Sequence, residues 1–288
     1  DKKGRITRFL EKPGWGEVFS DTINTGIYIL EEEVLQFIPE NREFDFSKDL
    51  FPLLLENKRP IYGYIADGYW KDIGSLEEYR SANMAILHGK VKVKMRGEKV
   101  VGKDIWVGKG ARIDFSSKLE GSIVIGENCR IESDARISNS IIGSNTVIEE
   151  GAVITDSVLW DNIRVARGAF MQECVIADDT AILEGAHLAE GVIVSDHCTI
   201  GMRSTVKANV KVWPRKTVED DAILSSSLIW GERWSRHIFS TYGVTGLANI
   251  EISPEFAAKL GAAYGASLKR GSFVSTSRDA HKTSRMIN

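Results

Sequence analysis

Large apolar residues recur every six positions through the middle of the chain, with a few intervals of five. A small side chain usually stands two positions before each of them. A period of six matches neither the helical period of about 3.6 nor the alternation of a lone strand. It predicts a coil of three short flat faces, each sending one apolar side chain into a narrow interior. The series is Val107, Ile113, Leu119, Ile125, Ile131, Ile137, Ile142, Ile148, Ile154, Leu159, Val165, Met171, Ile176, Ile182, Leu188, Val194, Ile200, Val206 and Val212.

The repeat resembles that of the hexapeptide-repeat proteins, whose fold is the left-handed parallel β-helix. The handedness is implied by this resemblance and not by the spacing. Burying one apolar side chain contributes roughly 1.5–3 kcal/mol, whereas ordering each backbone residue costs about 1–2 kcal/mol. A single coil is therefore unstable, and neighbouring coils have to stack. Gly108, Gly126, Gly143 and Gly201 each follow an inward residue, and we expect them at tight corners.

The repeat separates regions of different composition. We expect a mixed α/β part over residues 1–88, a connector over 89–104, the β-helix over 105–232 and a further segment over 233–288. In the first part, residues 25–30 and 61–65 read as strands, and Ser47 reads as the cap of a helix through Leu50–Leu55. Ser75 and Glu78 form a capping box before a second helix. Ser253 and Pro254 predict another helix start.

Composition and charge narrow the possible functions. The 288 residues contain 37 basic and 40 acidic side chains, well mixed, so we expect no nucleic-acid partner. No apolar run reaches the roughly 20 residues that span a bilayer, and no signal-peptide pattern is present, so we expect a soluble cytoplasmic protein without membrane contact. Cys129, Cys174 and Cys198 occupy the small inward position of the repeat. Packing is the expected role of these cysteines, rather than a disulfide, a metal site or a nucleophile.

Three motifs in the first part are more specific together than alone. They are Arg8-Phe-Leu-Glu-Lys-Pro13, Asn24-Thr-Gly-Ile-Tyr28 and Gly68-Tyr-Trp-Lys-Asp-Ile-Gly74. In this order they resemble the C-terminal part of the sugar-phosphate nucleotidyltransferases, the NDP-sugar pyrophosphorylases, which include mannose-1-phosphate guanylyltransferases. The resemblance covers roughly residues 1–88, and members of that family often carry a hexapeptide β-helix next. It implies that residues 1–88 are the C-terminal part of an α/β nucleotidyltransferase domain.

The resemblance also implies roles for individual residues. Lys12 would hold the sugar phosphate, and Glu11 would accept hydrogen bonds from sugar hydroxyls. Asn24, Thr25 and Gly26 would shape the sugar pocket, and Asp72 would ligate Mg²⁺, which makes Lys12 and Asp72 the catalytic pair. The chemistry agrees, because Mg²⁺ prefers carboxylate oxygen and an ammonium group serves phosphate as a point charge. Taken singly, each residue has an ordinary structural interpretation as a solvated strand end or a turn.

The substrates implied are a hexose 1-phosphate and a nucleoside triphosphate. GTP and mannose 1-phosphate are expected, while glucose 1-phosphate with ATP, UTP or dTTP stays open. The family's glycine-rich nucleotide loop is absent from this sequence. We therefore expect a fragment of a longer polypeptide, inactive by itself, and a non-catalytic scaffold or regulatory subunit stays open as an alternative. Parallel β-helices commonly associate through flat faces, so a homo-oligomer is expected.

The C-terminal segment has a resemblance of its own. Residues 238–249, the helix after Ser253 and residues 277–286 resemble the incomplete start of an α/β phosphohexomutase domain. Thr245 and His281 stand where that family has arginines, and neither grips phosphate bidentately as arginine does. A degenerate, structural or regulatory mutase-like domain is as good an interpretation as an active one. Some hexapeptide proteins are acyltransferases with a catalytic histidine, but His187 and His197 read more simply as solvated side chains.

Overall fold

A computed structural model describes residues 4–8, 24–229, 233–234, 238–239, 243–246 and 252–276. Of residues 233–234 it describes only the backbone. The chain divides into two compact units, residues 1–72 and residues 73–288. The domain boundaries expected from the sequence stay a prediction.

The middle of the second unit is a three-sided parallel solenoid, in which each coil passes once through each face. The first face is β1 (Glu98–Lys99), β2 (Ile105–Val107), β5 (Ile123–Ile125), β8 (Ile141–Ile142), β11 (Val158–Leu159), β14 (Val175–Ile176), β17 (Ile193–Val194) and β20 (Lys211–Val212). The second is β3 (Arg112–Ile113), β6 (Arg130–Ile131), β9 (Val147–Ile148), β12 (Arg164–Val165), β15 (Ala181–Ile182), β18 (Thr199–Ile200), β21 (Thr217–Val218) and β23 (Arg233–Trp234). The third is β4 (Lys118–Glu120), β7 (Arg136–Ser138), β10 (Val153–Thr155), β13 (Phe170–Gln172), β16 (His187–Leu188), β19 (Thr205–Val206) and β22 (Ile223–Leu224). Only β1 pairs antiparallel among the described strands, with β2.

The strand register confirms the inward assignment. Ile131, Ile148 and Val165 occupy matching positions in three consecutive coils. Every residue of the predicted series from Ile125 onward is buried in one continuous core, whereas Val107, Ile113 and Leu119 in the first coil are only partly buried. Stacking therefore stabilises the interior from the second coil onward, as the free-energy comparison for a single coil requires.

The three intervals of five all fall at one corner, where the chain passes from the third face to the first. We call this the third corner, and the coils with an interval of five the short coils. In the short coils the residue with a left-handed backbone at the third corner is Asn139, Asp156 or Glu173. Gly121, Gly191 and Asn209 hold the same position in coils with the interval of six. Parallel pairing continues through the short coils without a shift of register. The shorter interval is thus absorbed by the corner and leaves the faces unchanged.

The corner glycines have a different physical reason from the one expected. Gly108, Gly126, Gly143 and Gly201 are not among the residues with positive φ. A Cβ on Gly126 would lie 2.5 Å from the backbone nitrogen of Ser144 in the next coil, so close approach between coils excludes a side chain there. Other glycines, asparagine and aspartate carry most of the left-handed turns instead, because short polar side chains tolerate that region. Longer side chains carry the remaining ones, at Glu173, His197, Arg203 and Arg215.

The helix before the solenoid forms as predicted. It is α2 (Leu76–Leu87), and the Ser75 hydroxyl accepts a hydrogen bond from the backbone N–H of Glu78 at 3.1 Å. Near the other end of the chain, α3 (Pro254–Ser267) begins at Ser253, whose hydroxyl accepts from the N–H of Phe256. None of the helices in the described ranges is long and apolar enough to cross a membrane.

The first unit has a small aromatic and aliphatic core. A 3-10 helix (Glu32–Phe37), a π-helical turn (Phe46–Leu50) and α1 (Phe51–Glu56) surround the buried Leu50, Phe51 and Leu54. The prediction that Ser47 caps this helix was wrong. The Asp45 carboxylate accepts from the N–H groups of Ser47 and Lys48, both at 2.8 Å, because a charged acceptor before the turn serves the free donors better than a hydroxyl inside it.

The two strands expected in this unit do not form. Residues 25–30 are irregular, and residues 61–65 contribute only an isolated antiparallel bridge between Arg5 and Tyr62. Ile27 and Ile29 are exposed, whereas Tyr28 packs against the core. Apolar side chains on both sides are typical of a strand covered on both faces of a sheet, and such a strand needs neighbours to pair with. Among the described residues of this unit, no neighbouring strand lies beside residues 25–30.

Replacing Ile148 by aspartate should unfold the solenoid. The side chain is fully buried in the middle of the stack, and an unpaired carboxylate there should cost more than about 4 kcal/mol. Urea unfolding followed by circular dichroism measures the loss. Val147→Asp is the control, since Val147 faces outward between Arg130 and Arg164 and should tolerate a carboxylate. Equal unfolding midpoints for wild type and Ile148→Asp would contradict the inward assignment.

Adding one methyl group at Gly126 should also destabilise the stack. Gly126→Ala brings a Cβ against backbone of the next coil, at a cost of about 1–3 kcal/mol. Gly151→Ala is the matched comparison. Its φ of +67° carries the usual left-handed penalty, but its Cβ would meet open space. The melting temperature should fall further for Gly126→Ala than for Gly151→Ala. The reverse order would contradict the close-approach explanation.

Candidate functional site

The Asn24-Thr25-Gly26 motif forms a tight turn held by the Asn24 side chain. The Asn24 Oδ1 accepts the backbone N–H of Gly26 at 3.0 Å, and Gly26 has a φ of +75°. The Asn24 Nδ2 donates to the Tyr28 hydroxyl at 2.7 Å and lies 3.4 Å from the Ser47 hydroxyl. Both ends of the amide are therefore used within the protein. The Asn24 side chain therefore holds the turn in shape, and Thr25 and Gly26 lie at its tip.

Aromatic packing fixes the other side of this turn. The Tyr28 ring lies 5.0 Å from the Phe51 ring and 5.6 Å from the Phe46 ring, between centroids. Through the hydroxyl of Tyr28 the turn is connected to the core of the first unit. Sequence reasoning did not assign this role to Tyr28 or Ser47. The sequence did contain a signal for Tyr28, because it stands four positions after Asn24 in the same motif.

Asp72 lies in an irregular, exposed segment together with Tyr69 and Trp70. Within the described residues, no hydrogen bond or ion pair joins Asp72 to the Asn24 turn. The described residues also contain no cluster of three metal-ligating side chains. An accessible carboxylate fits Mg²⁺ all the same, because this ion commonly takes one or two carboxylates and completes its shell with waters and substrate phosphates.

Glu11 and Lys12 lie outside the described residues, so their roles stay predictions. The same holds for Tyr242 and for residues 277–286 of the segment compared with phosphohexomutases. Thr245 is described and lies in an irregular stretch. The mutase-like interpretation of residues 233–288 stays a prediction.

The three cysteines pack inside the solenoid as expected. Cys129, Cys174 and Cys198 are free and buried, and each thiol lies near a backbone carbonyl, for example Cys198 Sγ at 3.1 Å from the oxygen of Trp213. Burial raises the pKa of Cys174 to about 12 and also raises the pKa of the other two thiols. Burial and a raised pKa disfavour the thiolate, so these groups are poor nucleophiles.

The two histidines considered for acyl transfer lie on the outside of the solenoid. His187 is exposed and stacks on Phe170, with ring centroids 4.7 Å apart and planes within 6°. His197 lies at the corner between the first and second faces, 3.7 Å from an Asp179 carboxylate oxygen.

Comparison with protein families identifies two regions. Residues 1–89 match the nucleotidyl transferase family, and residues 102–206 match the left-handed β-helix (LbH) domain of the EIF2B epsilon subunit. The first match includes the Asn24 turn and Asp72. The second covers most of the solenoid and supports its left-handed sense.

Curated relatives are sugar-phosphate nucleotidyltransferases. The chain is 37% identical over 160 residues to a UTP–glucose-1-phosphate uridylyltransferase of Synechocystis, covering 49% of this chain and 41% of the relative. It is 30% identical over 143 residues to a mannose-1-phosphate guanylyltransferase of Mycobacterium tuberculosis, covering 49% and 38%. The chain thus spans about two fifths of the length of these relatives.

Among solved structures, a perosamine N-acetyltransferase from Caulobacter crescentus in complex with CoA and GDP-perosamine is 19% identical. The likeness covers 38% of this chain and 52% of that chain, with a TM-score of 0.36.

High pH should weaken the solenoid through its thiols. A folded-state pKa of about 12 for Cys174 lies above the ordinary value, so stability is complete below about pH 9 and declines as the pH rises toward 12. At about pH 10.5 the loss from this thiol is on the order of 2 kcal/mol, from 1.36 kcal/mol per pKa unit. Urea unfolding at neutral and alkaline pH measures the free energy of unfolding. It should decrease less between the two pH values for Cys174→Ala than for wild type. An equal decrease in both proteins would contradict the raised pKa of Cys174.

Proposed function

We propose that the protein to which this chain belongs transfers a nucleotidyl group from a nucleoside triphosphate to a hexose 1-phosphate and releases pyrophosphate. The observation that carries the proposal is the nucleotidyl transferase match over residues 1–89, which contains the three ordered motifs. Curated relatives named for uridylyl, guanylyl and adenylyl transfer support the reaction class. GTP and mannose 1-phosphate are our proposed substrates, with glucose 1-phosphate and another triphosphate as the alternative.

In this reaction an oxygen of the sugar phosphate attacks the α-phosphorus, and the bond to the pyrophosphate breaks. Little covalent chemistry falls to the protein, so positioning and charge neutralisation supply most of the catalysis. Lys12 would place an ammonium group on the sugar phosphate. The turn at Thr25 and Gly26, rigidified by the Asn24 amide, would present backbone groups and a hydroxyl to the sugar, while Glu11 would accept hydrogen bonds from its hydroxyls.

Asp72 would hold Mg²⁺ together with the phosphates, and the bound ion would neutralise charge developing on them. The exposed position of Asp72 supports this role, since a carboxylate that is to meet a hydrated ion must be reachable.

The exposed apolar residues of the first unit support a longer functional domain. Ile27, Ile29, Tyr64 and Ile65 are each at least 75% exposed. Large apolar side chains that are this exposed are unusual in such number on a small soluble domain and commonly mark an interaction surface. We propose that further chain of the same protein covers these residues and completes the nucleotide site.

A second candidate is a non-catalytic scaffold or regulatory subunit. The match to a domain of an EIF2B subunit favours it, because that name describes part of a larger assembly.

We also propose that the flat faces of the solenoid support a homo-oligomer. Sedimentation of the purified protein measures the assembly state, and enzymatic turnover separates the two candidates.

The full-length protein should make a nucleotide sugar when supplied with Mg²⁺, a triphosphate and a hexose 1-phosphate. Asp72→Asn should lower kcat by about 10²–10³-fold, since a neutral amide cannot hold the ion as a carboxylate does. Pyrophosphate release over a panel of substrates measures both. Asp67→Asn is the control, because Asp67 is an exposed carboxylate in the neighbouring sequence. Residues 1–288 alone should be inactive, and a full-length protein without turnover on any substrate pair would favour the scaffold.

A further inference from the structure

Two side chains of helix α2, Tyr79 and Arg80, contact the solenoid. The Trp160 indole N–H donates to the Tyr79 hydroxyl at 3.1 Å, and the two rings meet edge to face with centroids 6.2 Å apart. The Arg80 guanidinium pairs with the Glu173 carboxylate at 2.7 Å and lies 3.4 Å from the carbonyl oxygen of Asp156. The Arg80 and Glu173 side chains are only 22% and 38% exposed, so this pair is partly shielded from water.

Apolar side chains near these contacts are also buried, both on the first face of the solenoid and on α2. Val158 and Val175 pair side by side on the first face and are buried, yet they do not belong to the interior core. They point outward and are covered from outside. On the helix, Ala82 and Ala85 are buried, and such small side chains allow close approach of a helix to a sheet. Trp160 and Glu173 each stand two residues from one of these valines and both contact α2, so we infer that the helix covers the valines.

Glu173 is an unusual residue for its place in the fold. The corresponding residues at the third corner are Gly121, Asn139, Asp156, Gly191 and Asn209, all glycine or a short polar residue. Glutamate is disfavoured in the left-handed region because its side chain gives little local compensation. Glu173 instead extends to Arg80. Long side chains such as Arg203 and Arg215 occupy the left-handed region at other corners, but among the described third corners only Glu173 has one. A residue that departs from its column in this way commonly marks a function.

Trp160 ends a run of three glycines in a column that Ala177, Ser195 and Trp213 continue. Gly108, Gly126 and Gly143 form a column in which each glycine lies against the backbone of the next, and Trp160 is the following member. The bulky side chain appears in the coil against which Tyr79 packs. Glu173 and Trp160, which are both bulkier than the residues that precede them in their columns, thus contact the same helix.

Helix α2 follows the candidate metal ligand directly, because its cap Ser75 stands three positions after Asp72. We propose that Glu173 and Trp160 are positioning residues for the segment that carries Asp72. By fixing the first turn of α2, they restrict the conformations of the residues joined to it. The proposal rests on the proposed function for Asp72 and adds that the solenoid takes part in the reaction through this helix.

Hydrogen exchange on the chain of 288 residues tests the fastening directly. Glu173→Gln and Trp160→Ala should each raise amide exchange at Tyr79 and Arg80 by about threefold, as expected for loss of one partly exposed contact. Glu150→Gln and Trp213→Ala are the matched controls. Glu150 pairs with Arg167 at another corner, and Trp213 is a half-exposed tryptophan on the solenoid. The controls should leave exchange in α2 unchanged, and unaltered exchange in both test variants would overturn the proposal.

The full-length protein tests the positioning role. Glu173→Gln and Trp160→Ala should raise the Mg²⁺ concentration for half-maximal rate by about threefold and lower kcat, with the melting temperature of the solenoid unchanged. Faster exchange with unchanged Mg²⁺ dependence and kcat would overturn the positioning role. If the wild type shows no transfer, the proposed function fails, and with it the positioning role, while the exchange result still decides the fastening.

Discussion

Stacking of coils around a narrow apolar interior is the interaction on which the described structure depends. Each coil contributes three inward side chains, and neither its hydrogen bonds nor its buried surface is complete without the coils above and below. In the first coil, which has no coil before it, Val107, Ile113 and Leu119 are only partly buried. The same constraint explains why small residues lie beside the large ones. Ser157, for example, is fully buried and its hydroxyl accepts the N–H of Cys174 in the next coil.

The periodic part of the fold could be predicted from the sequence because its stability comes from local repetition. An inward residue such as Ile148 is identified by its spacing alone, and even the intervals of five could be placed. The corners were harder, since spacing does not distinguish a glycine needed for close approach, such as Gly126, from one needed for a left-handed turn, such as Gly151. That distinction depends on the backbone of a neighbouring coil.

The first unit was less predictable, because its strands depend on partners elsewhere in the fold. Residues 25–30 have the composition of a strand but pair with no described neighbour. The turn at Asn24 could be identified, whereas its hydrogen bonds with Tyr28 and Ser47 depend on how the first unit folds. Glu173 and Trp160 were not predicted as contacts because their partners lie 93 and 81 positions away in the sequence. Comparison of residues at equivalent corners could have singled out Glu173.

These large sequence separations have a consequence for synthesis on the ribosome. Helix α2 leaves the exit tunnel long before the coils that receive it, so its apolar face has no native partner while residues 88–175 are being made. Translation at roughly 5–20 residues per second leaves a delay of several seconds. During that time the helix is a target for chaperones and for neighbouring nascent chains. The solenoid, in contrast, grows coil by coil and has no such waiting period.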